Sequence, residues 1–163
     1  MNFEYRQADV ASLEKIWQKN IERHPGDERW VRWKKEYIQM NIDGALRTFL
    51  VLADGEPVGE GTLIFSPESM AVAGKPMLCD GRTITNLNAL RIEKRFEGQG
   101  HISRMVKLME QHARELGYQT ITIGVDECEH RNRAIYEHWG YTDLLFTEID
   151  DGEKVLYYGK PLV

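Results

Sequence analysis

A short glycine-containing segment is the part of this sequence best suited to chemistry. It follows a strand-like run, precedes a helix-like run and reads Glu97-Gly98-Gln99-Gly100-His101-Ile102-Ser103. At a junction of this kind the first backbone N–H groups of the helix have no intrahelical partner, and the helix dipole makes their surroundings positive. Glycine also lets the backbone adopt positive φ and approach a phosphate closely. The segment therefore predicts an anion site in which Gly98 and Gly100 hold a pyrophosphate.

Two common phosphate-binding motifs do not fit this segment. The sequence has no GK[ST] motif of the nucleoside triphosphate loop, and Gly98-Gln99-Gly100 lacks the third glycine of the dinucleotide fingerprint. Phosphoryl transfer and hydride transfer therefore lose support as functions.

The segment resembles the acetyl-CoA loop of the GNAT superfamily of N-acetyltransferases, which is usually written [RQ]xxGx[GA]. Residues 95–100 satisfy that pattern literally, with Arg95 first and Gly100 last. Alignment by helix length instead puts Glu97 at the Arg/Gln position and Ile102 at the final Gly/Ala position. We prefer this second register because the span 102–117 then matches the usual family helix. Both registers keep 98–103 around the pyrophosphate.

A second resemblance lies further along the chain, where Tyr136 is followed by Gly140 and Tyr141 in the manner of the family's Tyr-x-x-x-Gly-Phe/Tyr signature. The family usually has Asn seven residues before this tyrosine, whereas this sequence has Glu129 there and Asn132 four residues before it. Asn132 is then the shifted equivalent, or the contact is absent. The resemblance covers nearly the whole chain, most specifically 84–141, and implies an N-acetyltransferase that uses acetyl-CoA as co-substrate.

The resemblance also implies roles for individual groups. Tyr136 would protonate the departing CoA thiolate, and a backbone N–H on the strand before the loop would stabilise the carbonyl oxygen during direct attack. The cofactor contacts that it implies are Leu90, Arg91, Ile92, Glu97, Gly98, Gln99, Gly100, His101, Ile102, Ser103, Asn132 and Tyr136.

Acetylation of an amine also calls for a base. An alkylammonium with a pKa of about 10.4 is almost fully protonated at pH 7, so a carboxylate or a proton-relaying water is useful. Three candidates are Glu60, Asn88 acting through a water, and Asp126. Two other functions stay open: a non-catalytic, acyl-CoA-binding regulatory module, and a transferase that uses a longer acyl-CoA.

The elements that must position these residues follow from pattern and turn chemistry. Apolar periodicity, Asp9 as an N-cap and Asp-Gly turns predict alternating strands and helices. An aromatic helix at about 28–40, with Trp30, Trp33 and Tyr37 on one side, could line an acceptor pocket. The predicted strands are 3–6, 48–53, 57–65, 83–92, 120–125, 143–149 and 155–160, and the other helices follow Asp9, span 102–116 and contain 132–141. With the resemblance, this order predicts an α/β fold, a mixed and mostly antiparallel sheet of six to seven strands with about four flanking helices.

Composition narrows the remaining possibilities. A chain of 163 residues suits one domain, 1–163, and a formal net charge of -5 offers no basic face for nucleic acid. Two cysteines without metal-ligand spacing favour a reduced, cytoplasmic setting and no metal site, and no apolar run is long enough for a membrane. The resemblance to N-acetyltransferases implies a small-molecule or peptide amine acceptor as partner. It also makes a homodimer possible.

Overall fold

The computed structural model describes residues 1–163, which form seven strands and four helices. The strands are β1 (Phe3–Gln7), β2 (Leu46–Ala53), β3 (Glu56–Ile64), β4 (Ile84–Ile92), β5 (Thr120–Asp126), β6 (Asp143–Asp150) and β7 (Glu153–Pro161). The helices are α1 (Val10–Arg23), α2 (Glu28–Asp43), α3 (His101–Glu115) and α4 (His130–His138). No helix is long and apolar enough to cross a membrane.

The strands form one mixed sheet in the order β1-β2-β3-β4-β5-β7-β6. The pair β4–β5 is parallel, whereas β1–β2, β5–β7 and β6–β7 are antiparallel. The predicted fold class, a mixed and mostly antiparallel sheet with four helices, is thereby confirmed.

The chain divides into two compact units, each built from two stretches of sequence. The first unit comprises Met1–Leu63 and Ala89–Met109, and the second comprises Ile64–Asn88 and Glu110–Val163. The expectation of one domain over 1–163 stays a prediction.

Local chemistry explains the elements of the first unit. Asp9 caps α1, because its carboxylate accepts a hydrogen bond from the backbone N–H of Ser12 at 2.8 Å. The helix α2 runs three residues beyond the predicted Met40 and stops at Gly44, whose φ of 78° ends it in a left-handed cap. Asp54 and Gly55 both have positive φ, 49° and 83°, as the predicted tight hairpin between β2 and β3 requires.

Close packing in the first unit explains why residue 61 is a glycine. A Cβ atom on Gly61 would lie 2.7 Å from Leu90 Cδ2 and 2.9 Å from Met105 Cε. Met105 is fully buried, so it has no room to move aside. Gly61 therefore lets α3 pack tightly on this part of β3 and β4.

The second unit has its core around β5. The parallel ladder runs from the pair Ile84 and Thr120 to the pair Leu87 and Ile123. Buried polar side chains of this unit find partners within the protein. For example, the Thr122 hydroxyl donates to the Leu78 carbonyl at 2.8 Å. The predicted terminal hairpin is present as β6 and β7.

Candidate functional site

The turn between β4 and α3 has the backbone geometry of an anion site. A 3-10 turn, Lys94–Phe96, follows β4, and then Gly98 and Gly100 adopt φ of 73° and 85°. The first turn of α3 carries no acidic side chain, and the first hydrogen bond into it joins the Arg104 N–H to the Gly100 carbonyl at 3.1 Å. A Cβ atom on Gly100 would meet nothing within 4 Å, so the space beside the turn is open. The 3-10 turn was not predicted.

His101, like Phe96 earlier in this turn, points into the protein. It is only 5% exposed, and its ring centroid lies 4.1 Å from that of Phe3. Nδ1 lies 2.8 Å from the Tyr5 hydroxyl, and Nε2 lies 3.1 Å from Gln99 Oε1. With both ring nitrogens engaged within the protein, His101 offers a ligand its backbone rather than its imidazole.

These contacts extend into a hydrogen-bond chain with a defined direction. Gln99 Oε1 can only accept, so Nε2 of His101 carries the proton and Nδ1 accepts from the Tyr5 hydroxyl. Arg104 donates to the Tyr5 oxygen at 3.2 Å, and Gln99 Nε2 donates to the Arg95 carbonyl at 3.1 Å. Burial, with the nearby Arg104 charge, lowers the pKa of His101. The neutral ring therefore ties the glycine turn to β1.

The C-terminal part of β4 contains an irregular residue. Ala89 has a φ of 58°, which is uncommon for a residue other than glycine and marks a local distortion of a strand. Side chains then alternate, because Leu90 faces Gly61 and Met105 whereas Arg91 faces the opposite side. The predicted contacts Leu90, Arg91 and Ile92 are all half-buried.

Glu60 lies in a buried ion pair. The residue is 1% exposed, and Arg91 donates to its carboxylate through Nε and Nη2, both at 3.2 Å. Asn20, also 1% exposed, donates to the same carboxylate at 2.7 Å. These three hydrogen bonds take most of the acceptor positions of the carboxylate, and its burial hinders an amine from reaching it.

Aromatic rings surround the guanidinium of Arg91. Its Cζ lies 5.3 Å from the ring centroid of Trp17 and 5.0 Å from that of Trp30, within the range of cation–π contacts. Trp33 packs on Trp30 with centroids 5.1 Å apart, and Tyr37 packs on Trp17 at the same distance. The predicted aromatic cluster of α2 is therefore present, with Trp17 of α1 as a further member.

Tyr136 lies on α4 in the second unit. Its ring centroid is 5.6 Å from that of Trp139. Burial, with a smaller contribution from the Glu129 charge, raises the pKa of Tyr136 to about 12. Asn132 donates a hydrogen bond to Glu129, so the two residues that depart from the family's pattern are partners of each other.

The other two base candidates also belong to the second unit. Asn88 is half-buried on β4, and Asp126 is half-buried at the end of β5, paired across the sheet with Val155. The Asp126 carboxylate takes no hydrogen bond or ion pair from the protein.

An open cavity of about 450 Å³ also lies in the second unit. None of the predicted site residues lines it; its lining is His130, Arg133, Ala134, Glu137, Tyr141, Thr142 and Tyr158. No group of three or more His, Cys, Asp or Glu side chains is placed to hold a metal ion.

Sequence reasoning missed several residues that shape these sites. Tyr5 hydrogen-bonds to His101, Arg104 donates to the Tyr5 hydroxyl, and Asn20 donates to Glu60. The side-chain bonds from Tyr5 and Asn20 join residues 96 and 40 positions apart, and no local pattern encodes such pairs. Trp17 was not among the aromatic residues predicted to line an acceptor pocket.

Comparison with known proteins gives a consistent result. The family model described as the acetyltransferase (GNAT) family matches residues 10–141. No curated protein matches the chain by sequence.

Three solved structures illustrate the similarity of fold. An N-acetyltransferase from Staphylococcus aureus Mu50 is 14% identical, with all of both chains covered and a TM-score of 0.73. An aminoglycoside 6'-N-acetyltransferase complexed with coenzyme A is 15% identical, with coverage of 100% and 98% and a TM-score of 0.67. A spermidine N-acetyltransferase chimera from Vibrio cholerae is 16% identical, with coverage of 99% and 95% and a TM-score of 0.71.

Proposed function

The chain belongs to the acetyltransferase (GNAT) family and is an acyltransferase, and from that premise we propose that it acetylates a primary amine of a small molecule or peptide, with acetyl-CoA as donor. The observation that carries the proposal is the turn before α3, where Gly98 and Gly100 both have positive φ and open space lies beside Gly100. A turn of this kind presents backbone N–H groups to a pyrophosphate. The similar aminoglycoside acetyltransferase, whose structure contains coenzyme A, supports this assignment of the cofactor.

In this proposal the amine attacks the thioester carbonyl directly. The new C–N bond forms as the C–S bond breaks, and a backbone N–H of the Leu90–Ile92 stretch stabilises the oxygen that gains charge. The CoA sulfur takes a proton from Tyr136, whose raised pKa of about 12 keeps its phenol protonated at neutral pH. The phenolate recovers its proton from the nitrogen that has attacked, which is positively charged once the C–N bond has formed and becomes the neutral amide nitrogen when it loses this proton.

We assign the base to Asp126 rather than to Glu60. The Glu60 carboxylate is engaged by Arg91 and Asn20, whereas that of Asp126 is half-buried without a protein partner. Asn88, which cannot accept a proton itself, would act only through a water. A larger loss of kcat/KM in Asp126→Asn than in Asn88→Ala would support this order, and the reverse would favour Asn88.

A transfer assay tests the function. CoA thiol release is measured with acetyl-, propionyl- and succinyl-CoA against a broad panel of primary amines, with Tyr136→Phe as control. Amine-dependent release that is fastest with acetyl-CoA would support the proposal, and faster release with a longer acyl-CoA would change the donor. Binding of acetyl-CoA without turnover of any amine would favour a regulatory module. A homodimer and a cytoplasmic location stay predictions.

A further inference from the structure

The guanidinium of Arg91 is held in a fixed position with part of its donor set still available. Glu60 engages one N–H each of Nε and Nη2, which leaves the second N–H of Nη2 and both of Nη1 for another acceptor. The Arg91 side chain is 29% exposed, whereas that of Glu60 is 1% exposed. A ligand could therefore reach Arg91 but not Glu60.

A second donor next to Arg91 has no partner within the protein. Trp17 is 1% exposed, and its indole Nε1 is buried without a hydrogen bond. An indole N–H can only donate, so this buried donor is left unsatisfied in the free protein. The Arg91 Cζ lies 5.3 Å from the centroid of the same ring, so the guanidinium is held against the face of this indole.

The charges around Arg91 also favour an anion. Glu93 is shared by three cations, Lys19 at 3.5 Å, Arg23 at 3.1 Å and Arg95 at 3.0 Å. Together with the Arg91–Glu60 pair, the ion pairs of this part of the first unit contain four cations and two carboxylates.

The carboxylate of Glu36, whose Oε2 is buried without a partner, reduces this surplus of positive charge without cancelling it. The faces of Trp17 and Trp30 are already occupied by Arg91. A second ammonium on the acceptor, as in a polyamine, would therefore meet a cation rather than an empty aromatic cage.

We propose that the acceptor amine also carries a carboxylate, and that the Arg91 guanidinium recognises this group. The inference rests on the proposed function and narrows its substrate class. The N–H groups left on Nη1 and Nη2 of this one guanidinium match the two oxygens of a carboxylate. Arg91 also belongs to the Leu90–Ile92 stretch assigned to the reacting carbonyl, so the anchor and the reaction centre share one strand. Arg91 is thus a residue that determines specificity.

The test uses pairs of amines that differ only in the carboxylate: tryptophan and tryptamine, phenylalanine and phenethylamine, and lysine and cadaverine. We expect kcat/KM for the acid of an accepted pair to exceed that for the amine by roughly 10- to 100-fold, mainly through KM, as for hydrogen bonds between charged groups. Equal turnover of both members, or preference for the amine, would overturn the inference and leave the acetyltransferase function intact.

A double variant tests whether Arg91 causes the preference for the acid over the amine. Arg91→Met alone would leave Glu60 buried and unpaired, so Glu60→Met is combined with it. In this double variant the ratio of the two kcat/KM values should fall about tenfold or more toward unity. A ratio that stays at the wild-type value would contradict the assignment.

A binding measurement separates this inference from the proposed function. The phenylalanine and lysine pairs are titrated into the CoA-loaded protein, with the fluorescence of Trp17 and Trp30 as the readout, because tryptophan and tryptamine themselves fluoresce. Tighter binding of the acids, lost in the double variant, supports the inference even where no acetylation occurs. Equal or weaker binding of the acids overturns it, whereas failure of acetyl-CoA itself to bind counts against the proposed function.

Discussion

The hydroxyl of Tyr5 lies 2.8 Å from Nδ1 of His101 and thereby joins β1 to the first turn of α3. Because Nδ1 accepts this hydrogen bond, the contact requires a neutral imidazole. The glycine turn proposed to hold the pyrophosphate is therefore anchored by a residue that titrates near physiological pH.

The first prediction concerns the pH dependence of stability. Burial and Arg104 lower the pKa of His101 below its ordinary value of about 6.5. The stability that the neutral ring contributes is thus complete above pH 6.5 and declines as the pH falls below it. Urea unfolding at about pH 7.5 and about pH 5.5 should show a larger loss of unfolding free energy in the wild type than in His101→Gln. Equal losses would mean that the ring is not held neutral.

The second prediction concerns the ion pair between Glu60 and Arg91. Arg91→Met should lower the free energy of unfolding by roughly 2–3 kcal/mol, since it leaves the Glu60 carboxylate buried with only Asn20 as partner. Glu60→Met combined with Arg91→Met should recover most of this loss, because no charge is then left unpaired. Urea unfolding at neutral pH measures both values. A double variant no more stable than Arg91→Met would contradict the account.

The third prediction concerns the proposed general acid. Tyr136→Phe keeps the ring that packs on Trp139 and removes only the hydroxyl, so the protein should fold normally. We expect kcat to fall about 100-fold while the Kd for acetyl-CoA changes little. Because the pKa of Tyr136 is about 12, wild-type kcat should show no break from its ionisation at neutral pH. A full kcat in Tyr136→Phe would remove Tyr136 from the mechanism.

The fourth prediction uses Tyr141 as a matched control in the same segment. Its hydroxyl donates to Glu110 at 2.9 Å, and Lys160 donates to the same carboxylate at 2.9 and 3.0 Å. Tyr141→Phe should therefore cost about 1–3 kcal/mol of stability and leave kcat nearly unchanged, the reverse of Tyr136→Phe. Thermal unfolding and steady-state kinetics together distinguish the two. Loss of kcat without loss of stability would show that Tyr141 takes part in the reaction.

Much of the fold could be predicted because local chemistry determines it. Asp9 at a helix start and Asp54-Gly55 between apolar runs each have one favourable local structure, and the protein adopts it. The end of α2 was predicted three residues early, at about Met40, because the helix continues until Gly44 adopts positive φ. The helix predicted at 102–116 ends at Glu115, and Leu116, the last residue of the predicted range, is 53% exposed.

The site was predictable in part. The turn around Gly98 and Gly100 could be located because strand, glycine and helix are adjacent in sequence. The positive φ of Ala89 could not be predicted from the sequence, because alanine does not favour this conformation. The place of Arg91 between Trp17 and Trp30 depends on packing between three elements, which sequence spacing does not reveal.

The measurement that tests the central claim most directly is isothermal titration with acetyl-CoA. Gly100→Glu places bulk and negative charge at the proposed pyrophosphate turn. Gly117→Glu is its matched control, because Gly117 has a φ of 90°, also has open space around its Cβ position and lies just beyond the other end of α3. We predict micromolar binding by the wild type and by Gly117→Glu, and none by Gly100→Glu. No binding by the folded wild-type protein, or equal binding by both variants, would contradict the account.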